Sequence, residues 1–175
     1  MKRSLTAVTL LAVAAVAHAT TMLKLDLKAL TERADRVVLG TVESTVSRWT
    51  PDKSAIYTEA QIRVARSYKG DARSGELVAV RREGGTVDGI GMRVYGSAQL
   101  SPGEEAVVFL EQRGVATWVV GMAQGKLHVS TDASGRKHVA ADLSGVHFTA
   151  PAAPEAPRAL DDLEREIRGY VRSGK

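Results

Sequence analysis

The sequence lacks cysteine altogether, and aromatic residues make up only 5% of its 175 residues. The absence of cysteine excludes disulfide bonds, thiolate metal ligands and thiol nucleophiles, so burial of apolar side chains must stabilise the fold. Hydrophobic residues make up 44% and charged residues 25%, which is typical of a globular domain and not of a disordered chain. The length suits one domain. Neither of the glycine-rich nucleotide-binding motifs is present, and we expect no cofactor.

A strong excess of charge of one sign is also missing. The net charge of +4 includes Lys2 and Arg3 at the N-terminus, so only about two excess positive charges belong to the rest of the chain. This balance predicts that nucleic acid is not a partner, because nucleic-acid-binding domains carry a marked cationic surface.

The N-terminus has the order of segments that is typical of an export signal. Two cations precede an apolar run over residues 5–17, and Ala17-His18-Ala19 follows as a small-residue cleavage pattern. The alternative, a membrane anchor, needs about 20 apolar residues, and this run is shorter. We therefore predict a signal peptide over 1–19, cleavage after Ala19 and a secreted or periplasmic protein. No later run is long enough to give the mature chain a transmembrane segment.

β-Branched residues and turn signals dominate the mature chain. Strands predicted over 37–46 and 56–64 form a long hairpin, with a bulge or bend at Gly40. Further short strands are predicted over 77–81, 106–110, 118–122, 126–129 and 138–140. A short helix over 26–36, capped by Asp26, precedes them. The pattern predicts a mainly all-β fold, namely an OB-like closed or partly open β-barrel.

The C-terminal part has a different composition. We divide the mature chain into a barrel domain over 20–148, a Pro/Ala linker over 149–157 and an amphipathic helix over 158–175. The polar side of this helix offers two ion pairs four residues apart, Asp161 with Arg165 and Glu164 with Arg168. The helix either docks on the barrel or binds a partner from its tether.

Several short motifs follow one another in an order that resembles a known group of proteins. They are Ala34–Val42, Ser67–Gly70, Gly84–Gly91, Pro102–Glu105 and Gln124–Lys126. The chain resembles a family of uncharacterised secreted bacterial proteins with an OB-type barrel. It is more distantly similar to netrin-like modules and to tissue inhibitors of metalloproteinases. The resemblance implies a barrel that binds proteins. Those inhibitors use an N-terminal cysteine, which this chain lacks, so no functional residue is carried over.

Arginines and tyrosines are concentrated on the predicted strands and turns. OB barrels bind oligosaccharides or single strands through cationic grooves with aromatic platforms. The predicted binding residues are Tyr57, Arg63, Tyr68, Arg81, Arg82, Arg93 and Tyr95. An anionic surface polymer is one candidate ligand, while an ordinary solvated strand face would have the same composition. The glycine-rich stretch 84–91 is predicted to be a flexible loop and is the best candidate for a binding loop.

Histidine spacing gives little support for catalysis or metal binding. His128, His138 and His147 show no paired-histidine metal motif, and no nucleophile-elbow motif surrounds a serine. We predict no catalytic residue and no metal site.

The sequence thus favours an exported, non-enzymatic binding module that binds or inhibits an exported protein such as a protease. The first alternative is a binder of anionic surface polysaccharide through a basic strand face. The second is a small hydrolase, which would require a histidine to meet a carboxylate or a serine in three dimensions.

Overall fold

A computed structural model describes residues 20–151 and 155–174. The predicted signal peptide and residues 152–154 of the linker lie outside the described residues. Helix α1 spans Leu27–Arg33 and helix α2 spans Leu160–Ser173. The strands are β1 (Thr20–Met22), β2 (Arg36–Trp49), β3 (Ile56–Lys69), β4 (Leu77–Glu83), β5 (Gly85–Val87), β6 (Ile90–Met92), β7 (Glu105–Arg113), β8 (Ala116–Val119), β9 (Lys126–Thr131), β10 (Lys137–Ala141), β11 (Val146–Phe148) and β12 (Arg158–Ala159).

Eight of these strands form one sheet in the order β12-β10-β9-β7-β2-β3-β4-β8. The neighbours are antiparallel except for β4 and β8, which pair in parallel through Arg81 and Trp118. Strand β8 also pairs with β7 in antiparallel register, from Leu110 opposite Val119 to Arg113 opposite Ala116. The protein is therefore mainly β, with a short N-terminal helix and a C-terminal helix, as the sequence predicts.

The long hairpin of β2 and β3 forms where the sequence predicts it. The register shifts between Leu39 and Gly40, which confirms the predicted irregularity at this glycine. A Cβ atom at Gly40 would lie 2.6 Å from the carbonyl oxygen of Arg63 on β3. Only glycine allows the two backbones to approach this closely.

Helix α1 begins as predicted, because the Asp26 carboxylate accepts a hydrogen bond of 2.7 Å from the Ala29 N–H. The helix ends at Arg33 and not at Arg36. Val37 and Val38 are fully buried on β2, and strand pairing of these β-branched residues outweighs extension of the helix.

Two hydrophobic clusters lie on opposite faces of β2, as the alternation of strand side chains requires. Val38 and Val42 belong to the cluster enclosed by β3, β4, β7 and β8. Val37 and Phe109 belong to the cluster beneath the two helices, which also contains Ile167 of α2. Helix α2 therefore docks on the sheet and is not a free helix that binds a partner from its tether.

The prediction of two ion pairs along the polar side of α2 is wrong. Glu164 does not pair with Arg168, because it lies four residues after Leu160 on the buried stripe and contacts Arg66 and Tyr68 of β3 instead. Arg165 pairs with Asp162, three residues away, and not with Asp161.

The glycine-rich stretch is an ordered hairpin and not a loop. Strands β5 and β6 pair around Asp88 and Gly89, whose φ angles are 51° and 78°. Positive φ at both turn residues is typical of the tight two-residue turn that Asp-Gly sequences favour. Each of these strands has only three residues, so the alternation of apolar and polar side chains is too short to predict a strand from the sequence.

Candidate binding cavity

A cavity of about 620 Å³ opens beside the end of β4, between the β5–β6 hairpin and the segment from Arg93 to Gln99. Val78 and Val80 of β4 are buried in the cluster enclosed by the strands. Arg82 follows in the same row, since alternate side chains of a strand share a face. Strand β4 therefore brings a cation from the core side of the sheet to the wall of the cavity.

Arg82 carries a buried hydrogen-bond donor that has no acceptor among the described residues. Its Nη1 donates to the Glu83 carbonyl oxygen at 3.2 Å, whereas its buried Nε has no hydrogen-bond partner within residues 20–151 and 155–174. Burial lowers the pKa of the Arg82 guanidinium, and the charge of Glu83 opposes this effect. Arginine nevertheless remains protonated at neutral pH. A buried donor that lacks an acceptor costs about 1–3 kcal/mol, and Arg82 carries such a donor at the cavity.

Arg93 and Tyr95 form the exposed rim. The Arg93 guanidinium carbon lies 4.9 Å from the centroid of the Tyr95 ring, in a cation–π contact. In the part of the chain that the structure describes, no carboxylate lies within ion-pair distance of Arg93. Tyr95 is 37% exposed. The rim therefore combines a cation with an accessible aromatic ring.

A third cation, Lys126, is already neutralised. It is buried in an ion pair with Glu104, whose other partner is His128 Nδ1 at 3.0 Å. Burial alone would raise the pKa of Glu104, but hydrogen bonds from Lys126, the Ser101 N–H and His128 outweigh it and lower the pKa. Lys126 thus contributes little free charge to the cavity.

Uncharged hydrogen-bonding groups and one carboxylate also line the cavity. Asp142 accepts hydrogen bonds from the Ser144 hydroxyl at 2.5 Å and from its N–H at 3.0 Å, and the hydroxyl bond is the main cause of the lowered pKa of Asp142. Thr86 and Gln99 line the same space. The cavity therefore offers both donors and acceptors around two arginines that have no ion-pair partner among the described residues.

The structure brings three of the seven predicted binding residues together on this cavity, namely Arg82, Arg93 and Tyr95. Tyr57 and Arg81 lie on the other face of the β3–β4 pair, with the Arg81 guanidinium carbon 4.4 Å from the Tyr57 ring centroid. Arg81 also pairs with Glu59, its Nε lying 3.0 Å from a carboxylate oxygen.

The other two predicted residues lie elsewhere. Arg63 pairs with Glu43, with Nη2 donating to Oε2 at 2.9 Å. Tyr68 is buried beneath α2. Sequence reasoning missed Lys126 and Asp142. Lys126 is the first residue of β9 and Asp142 follows β10, so both are distant in sequence from Arg82, and tertiary structure brings them to the same cavity.

Two of the described histidines, His128 and His138, contact carboxylates, and neither forms a catalytic triad within the part of the chain that the structure describes. His138 Nε2 lies 3.0 Å from Asp132, and the Ser134 hydroxyl donates to the same carboxylate at 2.6 Å. In a triad the histidine would lie between the hydroxyl and the carboxylate. Asp132 instead accepts from the Arg136 N–H and closes the β9–β10 turn. Among the residues described, no group of three or more potential metal-binding side chains is found.

A second depression of about 850 Å³ lies between α1 and the end of α2. Its cation, Lys69, donates to the carbonyl oxygens of Thr31 at 2.8 Å and Glu32 at 3.2 Å. The charged end of Lys69 therefore has acceptors from the chain itself, unlike the Nε of Arg82.

Comparison of the chain with protein-family models finds no match, and comparison with curated proteins finds none either. None of the helices in the described ranges is both long and apolar enough to cross a membrane. The chemistry of the cavity is therefore the basis on which a function is assigned.

Proposed function

We propose that the protein is an exported, non-enzymatic binding module that holds an anionic group of a surface polysaccharide in this cavity. Export follows from the leader-like N-terminus, in which two cations, an apolar run and Ala17-His18-Ala19 come in order. The ligand class follows from the two arginines that face the cavity without an ion-pair partner among the described residues.

We further propose that β2, β3, β4, β8 and β7 form an OB-like, partly open barrel. The support for it is the order of pairing, because β8 contacts both β4 and β7 and so links the two ends of the five-strand series. OB barrels are five-stranded and use one end and one face for oligosaccharides and oligonucleotides. The cavity lies where β4 ends, and barrel mouths commonly hold ligands.

The observation that carries the proposal is the unsatisfied Nε of Arg82 beside an open cavity. A buried cationic donor is unfavourable unless something accepts its hydrogen bonds. An anionic ligand supplies that acceptor, and charge-assisted hydrogen bonds are the stronger kind.

The arrangement gives less support to the other two candidate functions. The expectation of a protein partner depended on a tethered helix with a free apolar face. Helix α2 instead buries Leu160, Leu163 and Ile167 against the sheet, so this apolar face is already covered. A hydrolase would need a hydroxyl activated by a histidine, whereas Ser134 bonds the carboxylate of Asp132. Binding of an anion requires neither a free helix nor a nucleophile.

The test is binding of the chain 20–175 to immobilised polygalacturonate, heparin and neutral dextran, measured at low and high salt. We expect binding to the two polyanions and not to dextran, with weakening at high salt because ionic contacts are screened. Arg82→Gln should weaken binding about tenfold or more, the loss expected for charged hydrogen bonds.

The matched control is Arg165→Gln, which removes an arginine that is 74% exposed on α2, away from the cavity. It should leave binding unchanged, and thermal melting should show both variants folded. The proposal would be contradicted if the protein bound neither polyanion, or if Arg82→Gln and Arg165→Gln weakened binding equally. Selective capture of one exported protein in place of the polyanions would transfer the function to a protein partner.

A further inference from the structure

We infer that the group recognised in the cavity is a single carboxylate carried on a sugar ring, that is, a hexuronate unit of an acidic polysaccharide. This inference rests on the proposed function and narrows its ligand class. It depends on the number of unpaired donors in the cavity, on the carboxylate of Asp142 and on the exposed ring of Tyr95.

The free edge of Arg82 matches a planar carboxylate. Nη1 is engaged with the Glu83 carbonyl, which leaves the edge formed by Nε and Nη2. Two parallel N–H groups on one edge of a guanidinium fit the two oxygens of a carboxylate. Because Nε is covered in the structure, a bidentate contact requires Arg82 to turn towards the cavity when the ligand binds.

The remaining lining disfavours a phosphate or a sulfate. These tetrahedral groups present three oxygens and are usually held by several backbone N–H groups or by several cations. Three cations line this cavity. Lys126 is neutralised by Glu104, which leaves Arg82 and Arg93 as the two that have no ion-pair partner among the described residues. The carboxylate of Asp142 lines the same space and repels the additional negative charge of a phosphate, whereas a sulfate ester has the charge of a carboxylate and is disfavoured by its three oxygens alone.

The same lining suits the hydroxyl groups of a sugar. Asp142 accepts hydrogen bonds, Ser144 and Thr86 can donate or accept, and Gln99 can do both through its amide. The exposed ring of Tyr95 offers a flat apolar surface at the rim. A volume of about 620 Å³ lies within the range of small-ligand sites.

The experiment is calorimetric titration of the chain 20–175 with digalacturonate, its dimethyl ester and galactose 6-sulfate. We expect digalacturonate to bind about tenfold or more tightly than the ester, which keeps the rings and lacks the charge. Arg82→Lys should weaken digalacturonate binding while retaining a cation, because lysine cannot make the bidentate contact.

Asp142→Asn tests the recognition of sugar hydroxyls. It should weaken binding of digalacturonate and of galactose 6-sulfate, because both carry hydroxyls and the acceptor at position 142 loses its charge. Stronger binding of both would show that Asp142 acts by repulsion and not as an acceptor of sugar hydroxyls. Arg136→Gln, in the distant β9–β10 turn and 78% exposed, is the control and should change neither.

The outcomes distinguish this inference from the proposed function. If galactose 6-sulfate binds as tightly as digalacturonate and both depend on Arg82, the cavity recognises charge alone and the hexuronate assignment is overturned. If the ester binds as tightly as the acid, the carboxylate has no role and the assignment again fails. If Arg82→Lys has no effect on digalacturonate binding, the bidentate contact and the hexuronate assignment fail while the proposed function stands. If none of the anions binds, the proposed function fails as well.

Discussion

The Tyr68 hydroxyl donates a hydrogen bond of 2.6 Å to Glu164 and so joins β3 to a helix that lies 96 residues further along the chain. Arg66 Nη1 donates to the other oxygen of the same carboxylate at 2.7 Å. Burial and the hydrogen bond to Glu164 together raise the pKa of the Tyr68 hydroxyl well above its usual value. The contact places a charged group within an otherwise apolar helix interface.

Tyr68→Phe should destabilise the protein by about 1.5–3 kcal/mol, the usual value of a hydrogen bond to a charged group. Urea unfolding measures the change. In a double-mutant cycle with Glu164→Ala, which removes the acceptor, the two losses should not add, because both variants break the same contact. Arg165→Ala, on the exposed side of α2, should change stability by less than about 0.5 kcal/mol. Additive losses would show that the contact contributes little.

Ile167→Ala should destabilise the whole domain. Ile167 is fully buried between α2 and the sheet, and truncation of such a side chain costs about 2–5 kcal/mol. Val115→Ala is the control, because Val115 is 98% exposed and should contribute less than about 0.5 kcal/mol. Thermal unfolding followed by circular dichroism would compare the two. If Ile167→Ala unfolds α2 alone and leaves the sheet transition unchanged, the helix is not part of the cooperative unit.

The ion pair of Glu104 and Lys126 should make stability depend on pH. The pKa of Glu104 is lower in the folded protein than its ordinary value of 4.5, so in the interval between the two values the unfolded chain binds more protons. The stabilisation from Glu104 is therefore complete above about pH 4.5 and is lost as the pH falls towards the folded pKa.

Glu104→Gln should thus cost about 3 kcal/mol at pH 7, because it leaves Lys126 buried without its partner. The difference from the unaltered protein should shrink in unfolding experiments below pH 4.5. Glu155→Gln, at an ion pair whose carboxylate is 73% exposed, should have little effect at any pH. A loss for Glu104→Gln that does not vary with pH would contradict the assignment.

Two glycine substitutions should have opposite effects. Gly40→Ala places a Cβ atom 2.6 Å from the Arg63 carbonyl oxygen and 2.7 Å from the Ile62 side chain, and should cost about 1–3 kcal/mol or more. Gly169→Ala meets nothing within 4 Å inside α2 and should stabilise the protein by about 0.5–1 kcal/mol. Chemical denaturation measures the change in the free energy of unfolding for both variants. If Gly169→Ala is destabilising, the space around a glycine does not by itself decide the effect of its substitution.

Prediction from sequence succeeded where a pattern was long or a cap was explicit. Strand β3 alternates over many residues, and the Asp26 cap and the irregularity at Gly40 lie where the local sequence placed them. It failed for β1, β11 and β12, which have two or three residues each and depend on partners far along the chain.

The candidate site was predicted only in part. Residues 81 and 82 are both arginines, the first at the end of the strand predicted over 77–81 and the second just after it, and their sequence did not decide which one faces a cavity. The structure places Arg81 opposite Glu59 and Arg82 on the side of the buried Val80. Tyr68 was predicted to bind a ligand, but α2 covers it. Neither the ion-pair partner nor the covering helix is a neighbour in sequence.

The sequence by itself determined the mainly β composition of the fold, the two helices and the concentration of arginine and tyrosine on its strands. These properties depend on residue type and on periods of two or 3.6 residues, which act over short distances along the chain. Tertiary structure decided which arginines are neutralised and which line the cavity without an ion-pair partner in the described ranges. That choice depends on strand register and helix docking, which bring together charges from positions such as 66 and 164 or 104 and 126. Charge pairing falls off over a few ångströms in space, and only the folded chain sets those distances.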